Sequence, residues 1–334
     1  MQERQIRVNL EIDAELWGRF VSDHPLGNIF QTKGMYDLFQ QTDHSQSLAI
    51  AVMNEQAILG VLLAVIVSNG PTFTRAFTSR SIVIGGPIAE DNDPTIIGLL
   101  LREYKQRLPR YVVYTEIRPV FDLQGISETL LNLGYNRIGH YNLLMSITPD
   151  ASDLWNGMHK ERRRNVRKAQ ELGLEFREIV EQDEINEIIA LILTTYKRKR
   201  VPISSIDALK KANQFLSGNI RYFAAFYKGE MIAGQIRLYY KKLAYAWYAG
   251  SDEKHFKLYP NDFLMWNVIC WSHKHGYRVF DFGGGGEPGI PYGVRDYKLK
   301  YGCDMHEFGR YLCIHHSFVY KMGKTAISLL GMKK

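Results

Sequence analysis

The chain has 334 residues, 46% of them apolar and 23% charged, close to an average globular protein and long enough for two domains. This composition excludes a wholly disordered, collagen-like or coiled-coil protein, and three cysteines without a Cys-x-x-Cys speak against a disulfide framework and a structural zinc site. The formal charge of +7, from 42 basic against 35 acidic side chains, favours anionic partners such as phosphates, RNA or a membrane surface, a leaning shared with many ordinary enzymes.

The opening segment Met1-Gln-Glu-Arg-Gln-Ile-Arg lacks the apolar core of a secretion signal. The most apolar stretch, Ala57 to Val67, covers eleven residues, whereas a spanning helix needs about 20. These features predict a cytoplasmic, reducing location and no membrane span.

Leu48-Ala-Ile-Ala-Val-Met, the turn Asn54-Glu-Gln, and Ala57-Ile-Leu-Gly-Val-Leu-Leu-Ala read as a hairpin with Gly60 inside its second strand. A further strand, Ser81-Ile-Val-Ile-Gly-Gly-Pro, follows. Thr95–Gln106 then has helical period, with Ile96, Leu99, Leu100 and Tyr104 on one face. Tyr111-Val-Val-Tyr-Thr-Glu-Ile-Arg is β-rich, and Leu133-Gly-Tyr to Met145 closes the half with a turn and a strand.

The second half repeats this order. Its hairpin is Arg221-Tyr-Phe-Ala-Ala-Phe, Tyr227-Lys-Gly-Glu and Met231-Ile-Ala-Gly-Gln-Ile-Arg-Leu, with Gly234 matching Gly60. The strand Leu243 to Ser251, the helix Asn261–His275, the strand Tyr277 to Phe282, and a closing turn and strand from Tyr301 to Leu312 follow. The repeat predicts two similar α/β domains with mixed sheets, 1–149 and 150–334, joined at a seam near Thr148-Pro-Asp-Ala-Ser-Asp. The stretch from Phe318 predicts a C-terminal helix, more readily packed on the protein than laid on lipid.

Past the seam, Lys160, Arg162, Arg163, Arg164, Arg167 and Lys168 place six cations in nine residues, in a helix expected to end at Gly173. Arg163 and Arg167 are i,i+4 neighbours, as are Arg164 and Lys168. A solvated face is the usual fate of such a run. A phosphate-binding role is favoured because the run falls where a cleft between domains is expected, and because the arginine fork matches phosphate oxygens. Lys197-Arg-Lys-Arg200 reads as the exposed end of a helix.

Phe280-Asp-Phe-Gly-Gly-Gly-Gly-Glu-Pro-Gly-Ile-Pro-Tyr-Gly follows a strand. Gly284, Gly286 and Gly289 satisfy a dinucleotide pattern, but prolines follow instead of a helix. Asp281-Phe-Gly has no kinase catalytic loop upstream, and Gly323-Lys-Thr lacks the earlier glycine of a phosphate loop. A flexible loop here lets a substrate approach the backbone. Beyond it, Arg295 and Lys298 share a helical face beside Asp296 and Tyr297. The bland alternative is a surface turn with self-neutralising charges. His273-x-His275 and His315-His316 lack helical zinc spacing, so no metal is expected, and no nucleophile elbow or Cys/His dyad can be placed.

Phe280-Asp-Phe-Gly-Gly and Tyr292-Gly-Val-Arg-Asp-Tyr-Lys-Leu-Lys-Tyr-Gly resemble the closing motif of the FemABX family, the peptidoglycan interpeptide-bridge aminoacyltransferases and their acetyltransferase-like relatives. His24-Pro-Leu-Gly-Asn-Ile-Phe-Gln-Thr, His159-Lys-Glu-Arg-Arg-Arg-Asn-Val-Arg-Lys-Ala and Tyr245-Ala-Trp-Tyr-Ala-Gly-Ser are similar to the same family in the same order. The resemblance implies two tandem GNAT-like (acyl-CoA N-acyltransferase) domains with a cleft between them. It implies transfer of an amino acid from aminoacyl-tRNA to an amine of a UDP- or lipid-linked muropeptide, with no bound cofactor. By the same analogy Lys298, beside Tyr297, stabilises the transition state, and Arg163 and Arg167 hold substrate phosphates with Lys33 of the first domain.

Two departures bear on the donor. The helix-like span Glu181 to Gly218 is too short for the long helical arm that classical members offer to tRNA. Neither half carries the Arg/Gln-x-x-Gly-x-Gly/Ala loop of acyl-CoA binders. Amide formation from an activated ester needs a neutral amine, placement worth about 7–11 kcal/mol, and oxyanion stabilisation worth about 3–4 kcal/mol per donor. Lys298 is the expected donor, Tyr248 and Tyr297 are expected to line the acceptor channel, Arg295 to meet substrate, and Asp281 to assist amine deprotonation. The expectation is an aminoacyl- or acyltransferase on a peptidoglycan or surface-glycan precursor. The alternatives are an acyl-CoA-dependent enzyme of polysaccharide biosynthesis, a peripheral membrane contact, and a non-catalytic nucleotide- or RNA-binding tandem.

Overall fold

The computed structural model describes residues 7–55, 57–68, 75–203 and 205–329, with side chains to 325. Two compact units emerge: Met1–His140 with Glu307–Met332, and Tyr141–His306. In the first, the strands are β1 Arg7–Asn9, β2 Ser45–Met53, β3 Ile58–Val67, β4 Arg80–Ile84, β5 Ile88–Ala89, β6 Tyr114–Arg118 and β7 Asn136–Ile138. The helices are α1 Ala14–Asp23, α2 Lys33–Gln40, α3 Arg75–Thr78, α4 Pro94–Arg107 and α5 Ser127–Asn132. The second unit runs β8 Tyr141–Ser146, α6 Ala151–Gly157, α7 Lys160–Glu171, β9 Glu175–Ile179, α8 Gln182–Lys199, α9 Ile206–Leu216, β10 Ile220–Tyr227, β11 Glu230–Tyr240, β12 Leu243–Ser251, α10 Pro260–Lys274, β13 Val279–Gly286, α11 Gly293–Leu299 and β14 Asp304–His306. The chain then returns to the first unit as β15 Arg310–Ile314 and α12 Ser317–Leu329.

The first sheet has the order β1-β2-β3-β4-β6-β15-β7, with β5 on β3, and the second β14-β8-β13-β12-β11-β10-β9. Each contains one parallel pair, β4 with β6 and β12 with β13, among antiparallel neighbours. The mixed α/β sheets and the doubled layout are those read from the sequence. The boundaries differ. The expected seam at 148–153 gave each half its own last strand, but the last strands are exchanged: β8 lies beside β13 in the second sheet, and β15 joins β6 and β7 in the first. Which sheet a strand joins depends on distant pairing, and its own alternation does not reveal it.

Local capping accounts for the helix starts. Asp93 accepts the Thr95 N–H ahead of Pro94 at the first turn of α4, and Thr32 caps α2. All ten residues of β3 are buried, as in a strand covered on both faces. The His24–Thr32 segment plugs the first sheet. The Gln31 side chain accepts the Leu63 N–H at 2.8 Å and donates to the Ile84 carbonyl at 2.8 Å, standing in for a ladder pair where β3 and β4 separate. His24 bonds the Ala89 carbonyl through Nε2 at 2.7 Å.

The matched glycines turn out to serve different helices. A methyl on Gly60 would lie 2.8 Å from Ile96 of α4, whereas one on Gly234 would lie 2.8 Å from Ile188 of α8. Gly234 pairs across the ladder with Gly250, where a methyl would meet the Ile192 backbone at 2.5 Å, so two glycines side by side seat α8 on the sheet. Gly250→Ala should destabilise by about 3 kcal/mol, the upper end for overpacking. Gly234→Ala should cost somewhat less, because its methyl meets the Ile188 side chain at 2.8 Å rather than helix backbone at 2.5 Å. Urea unfolding of both variants checks the order.

Candidate active site

The second unit is built around α10, whose buried residues Phe263, Leu264, Val268 and Ile269 pack against Phe280 and Phe282 of β13. β12 and β13 pair only over Leu243–Tyr245 and Val279–Asp281. Beyond that point β13 follows β8 instead, with register shifts between Asp281 and Gly284 and between Gly284 and Gly286. Gly283 and Gly286 have φ of +76° and +79°, which only glycine adopts without strain. Lys298, on the turn of helix formed by α11, reaches back to this divergence and donates to the Gly284 carbonyl at 2.8 Å.

Three ionisable groups meet there. Asp281 is fully buried; its Oδ1 accepts the Gly283 N–H at 2.6 Å, and its Oδ2 has no hydrogen-bond partner among the described residues. Burial pushes its carboxyl up to about 6, against the opposing pull of the Gly283 amide, Lys298 and Arg237. Burial likewise pulls the Lys298 ammonium down to about 8, with Asp281 acting the other way. Arg237, on β11, is 2% exposed and has no carboxylate within ion-pair distance among the described residues. Its Nη2 donates to Gln235 Oε1 at 2.7 Å, the guanidinium carbon lies 4.5 Å from the Phe280 ring centre, and Nη1 has no hydrogen-bond partner among the described residues. Burial lowers its guanidinium to about 10. An unpaired buried cation is costly, and such sites cluster where chemistry is done.

A second constellation supports α11 from below. Asp262, in the first turn of α10, accepts from Arg162 at 2.7 and 2.8 Å, from Asn165 at 2.7 Å and from the Tyr301 hydroxyl at 2.9 Å. With the Tyr301 proton used there, Tyr297 donates to Tyr301 at 2.9 Å. The Arg162 guanidinium also stacks 4.5 Å from the Tyr297 ring centre. Burial, reinforced by Asp262, holds the Tyr297 phenol far above its ordinary value. A cavity of about 180 Å³ opens beside this group, lined by Arg162, Asn165, Tyr259, Asn261, Asp262 and Tyr297.

Residues 157–299 match the sequence model of the acetyltransferase (GNAT) domain family. Among solved structures, that of FemX is similar over 95% of this chain and 99% of its own, with a TM-score of 0.74 at 14% identity. The chain has a tandem GNAT fold, with a GNAT acetyltransferase domain at 157–299. Two further structures share the fold. The C-terminal domain attributed to a lysylphosphatidylglycerol synthetase of Agrobacterium fabrum has a TM-score of 0.57 at 13% identity, covering 94% and 96% of the two chains. A tandem GNAT protein from the clavulanic acid biosynthesis pathway has 0.60 at 11%, covering 93% and 99%. A comparison with curated proteins gives no match.

Within the second GNAT domain, Lys298 and Asp281 both lie at the divergence of β12 and β13, whereas the other candidates are held elsewhere. Tyr297 was expected to line a channel, but its hydroxyl is committed to the internal chain ending at Asp262. Arg295 was expected to meet substrate, but its guanidinium donates to the Gly285, Glu287 and Ile290 carbonyls at 3.2, 3.2 and 2.7 Å and so fixes the glycine-rich loop. Tyr248 stands on β12 with its ring 5.7 Å from Tyr196. Burial raises the Tyr196 phenol, and Tyr248 and Tyr292, the latter just ahead of α11, act electrostatically in the same direction. Arg163 donates to the Asn156 carbonyl at 2.7 Å, and Arg167 lies over Trp155 at 5.3 Å. Lys33 belongs to the first domain, where it pairs with Asp37 and lies over Tyr36.

Arg162 and Arg237 were missed as site residues. Arg237 was detectable in principle: Gln235 and Arg237 put polar groups at period two inside an otherwise apolar strand. Nothing local distinguishes Arg162 from its five cationic neighbours. For a metal, the donor atoms of Glu230, Asp252 and His255 lie within 4.8 Å of one another, but Asp252 already pairs with His255 at 3.3 Å and caps Lys254.

Proposed function

We propose that this acyltransferase fold forms an amide on an amine of a peptidoglycan or other cell-envelope precursor, taking the acyl group from an aminoacyl ester without a covalent enzyme intermediate. The observation that carries this is Lys298, a partly buried ammonium set at the divergence of β12 and β13 beside an ionisable Asp281. A neutral amine attacks the donor carbonyl, and the C–O double bond opens to an oxyanion, which the Lys298 ammonium stabilises. The ammonium formed on the attacking nitrogen gives its proton to the Asp281 carboxylate, whose Oδ2 has no donor among the described residues and, being fully buried, must be uncovered by movement of the glycine-rich loop as substrate enters. Collapse expels the ribose oxygen of the donor, which leaves as a hydroxyl carrying the proton that Asp281 took from the amine, so that Asp281 is a carboxylate again. Arg237 keeps the surroundings cationic, favouring the anionic transition state over the neutral ground state.

The names of FemX and of the lysylphosphatidylglycerol synthetase support an aminoacyl donor and an envelope acceptor. The turn into α10 supports it too: Phe256-Lys-Leu-Tyr-Pro has no glycine whose amides could wrap the pyrophosphate of an acyl-CoA. A cytoplasmic site agrees with three free cysteines. Incubation with labelled aminoacyl-tRNA, acetyl-CoA and UDP-muropeptide, followed by mass spectrometry, tests the proposal. Amide formation from aminoacyl-tRNA alone is expected. Transfer from acetyl-CoA would move the donor to the acyl-CoA class, and no product with any donor would leave a binding module.

Arg163 and Arg167 are assigned to the acceptor phosphates. Their joint replacement by alanine should raise KM for a UDP-linked acceptor about tenfold, about 1.4 kcal/mol, with the difference shrinking as salt rises. Steady-state kinetics at two ionic strengths checks this. An unchanged KM returns both arginines to the local contacts they make with Asn156 and Trp155.

A further inference from the structure

The first unit ends in a helix whose two faces differ in an unusual way. On α12, Val319, Tyr320 and Gly323 are partly buried, and the Tyr320 ring meets Tyr114 edge-on at 5.3 Å, so this face rests on the protein. The opposite face carries Phe318 and Met322, one helical turn apart and 76% and 51% exposed. α3 packs against α12 and presents Phe77, 62% exposed. Lys321 and Lys324 are exposed on the same helix, and residues 317–334 contain four lysines and no Asp or Glu.

We propose that this face, formed by Phe77, Phe318 and Met322 with Lys321 and Lys324 around them, docks the protein on an anionic lipid bilayer. A single exposed apolar side chain is ordinary; three large ones on adjacent elements mark an interaction surface. The charge pattern selects the occupant. A second copy would bring a face of the same sign against this one. RNA would satisfy the lysines but leave Phe77, Phe318 and Met322 in water. A bilayer with acidic headgroups takes both, burying the apolar tips at the acyl boundary while the lysines stay among the phosphates. Among the described residues no helix is long and apolar enough to cross a membrane, so the contact is peripheral.

The test is flotation of the full chain with vesicles of phosphatidylcholine alone and with about 30 mol% phosphatidylglycerol. Binding is expected to be about tenfold tighter to the anionic vesicles and to weaken in high salt, two to three lysines near the surface sufficing for that. The pair Phe318→Ser and Met322→Ser should lower binding about tenfold or more with an unchanged unfolding midpoint. The pair Lys321→Glu and Lys324→Glu should remove the preference for phosphatidylglycerol, and it serves as the independent arm if the first pair is unstable. The proposal is overturned if the wild type ignores anionic vesicles or if neither pair alters binding. It is equally overturned if the chain self-associates and Phe318→Ser with Met322→Ser makes it monomeric. Capture of tRNA that depends on the lysines but not on Phe318 and Met322 also overturns it.

Discussion

Lys298→Ala should lower kcat by about 10²–10³-fold, the loss of one oxyanion donor, while the unfolding free energy changes by no more than about 1 kcal/mol. The asymmetry follows from where the charge sits. Burial already works against the ammonium in the folded state, as its lowered value of about 8 records, so deleting it removes a cost together with one hydrogen bond to the Gly284 carbonyl. The same values set the pH profile. Lys298 must be protonated to meet an oxyanion, so activity should fall as pH rises through about 8. Asp281 must be ionised to accept the amine proton, so activity should fall as pH drops through about 6. Lys298→Ala should flatten the upper limb and leave the lower one. Asp281→Asn should erase the lower limb and keep the loop bond from Gly283, since an amide oxygen can still accept it. Steady-state rates between pH 5 and 10 with thermal unfolding as the folding control decide this; a Lys298→Ala enzyme with wild-type kcat removes the lysine from the reaction.

Both charge shifts have consequences for stability with the sign fixed by linkage. Asp281 binds its proton more tightly folded than unfolded, so its contribution is present at low pH and lost as pH rises through about 6. Lys298 binds its proton less tightly folded, so its burial cost is full below about 8 and is relieved as pH rises through that value. Near neutral pH the site therefore works against the fold on both counts. Such an arrangement persists where function requires it.

What the sequence disclosed and what it concealed divide along the same line. The hairpins around Asn54 and Lys228, the α4 and α10 helices and the stop at Gly173 were all visible, because each depends on period or turn chemistry. β9 escaped notice, since Glu175-Phe-Arg-Glu-Ile is mostly polar and lies at the sheet edge. The exchange of β8 and β15 escaped because pairing partners are set by contacts more than 130 residues apart, as between Val279 and Ser146 or Cys313 and Thr115. The cationic helix misled most. Its six charges look alike in the sequence, yet Arg162 is buried on a carboxylate 100 positions away and Arg163 is turned onto the end of α6. Glycine spacing misled in a related way: Gly60 and Gly234 hold matching places in their hairpins, but they back onto α4 and α8 respectively.

Asp262→Ala should be the most destabilising single change in the second unit, by about 3–5 kcal/mol, equivalent to a fall of roughly 10 °C in Tm. Asp262 closes four hydrogen bonds from three side chains, and its loss leaves the buried Arg162 guanidinium with only the half-exposed Glu161, 3.6 Å away, as an anion and the Tyr301 hydroxyl without this acceptor. Most of the penalty belongs to the stranded arginine rather than to the lost attraction. Replacing both partners, Arg162→Met with Asp262→Leu, should therefore recover much of the stability that Asp262→Ala gives up. Activity should not recover in step. Tyr297 reaches Asp262 through Tyr301 and packs under Arg162, so both partners are needed to hold α11, and with α11 the lysine at its end, in register with β13. A double variant that regains its Tm but still turns over at least tenfold more slowly would separate the two roles. One that regains both would make the buried ion pair a matter of folding alone.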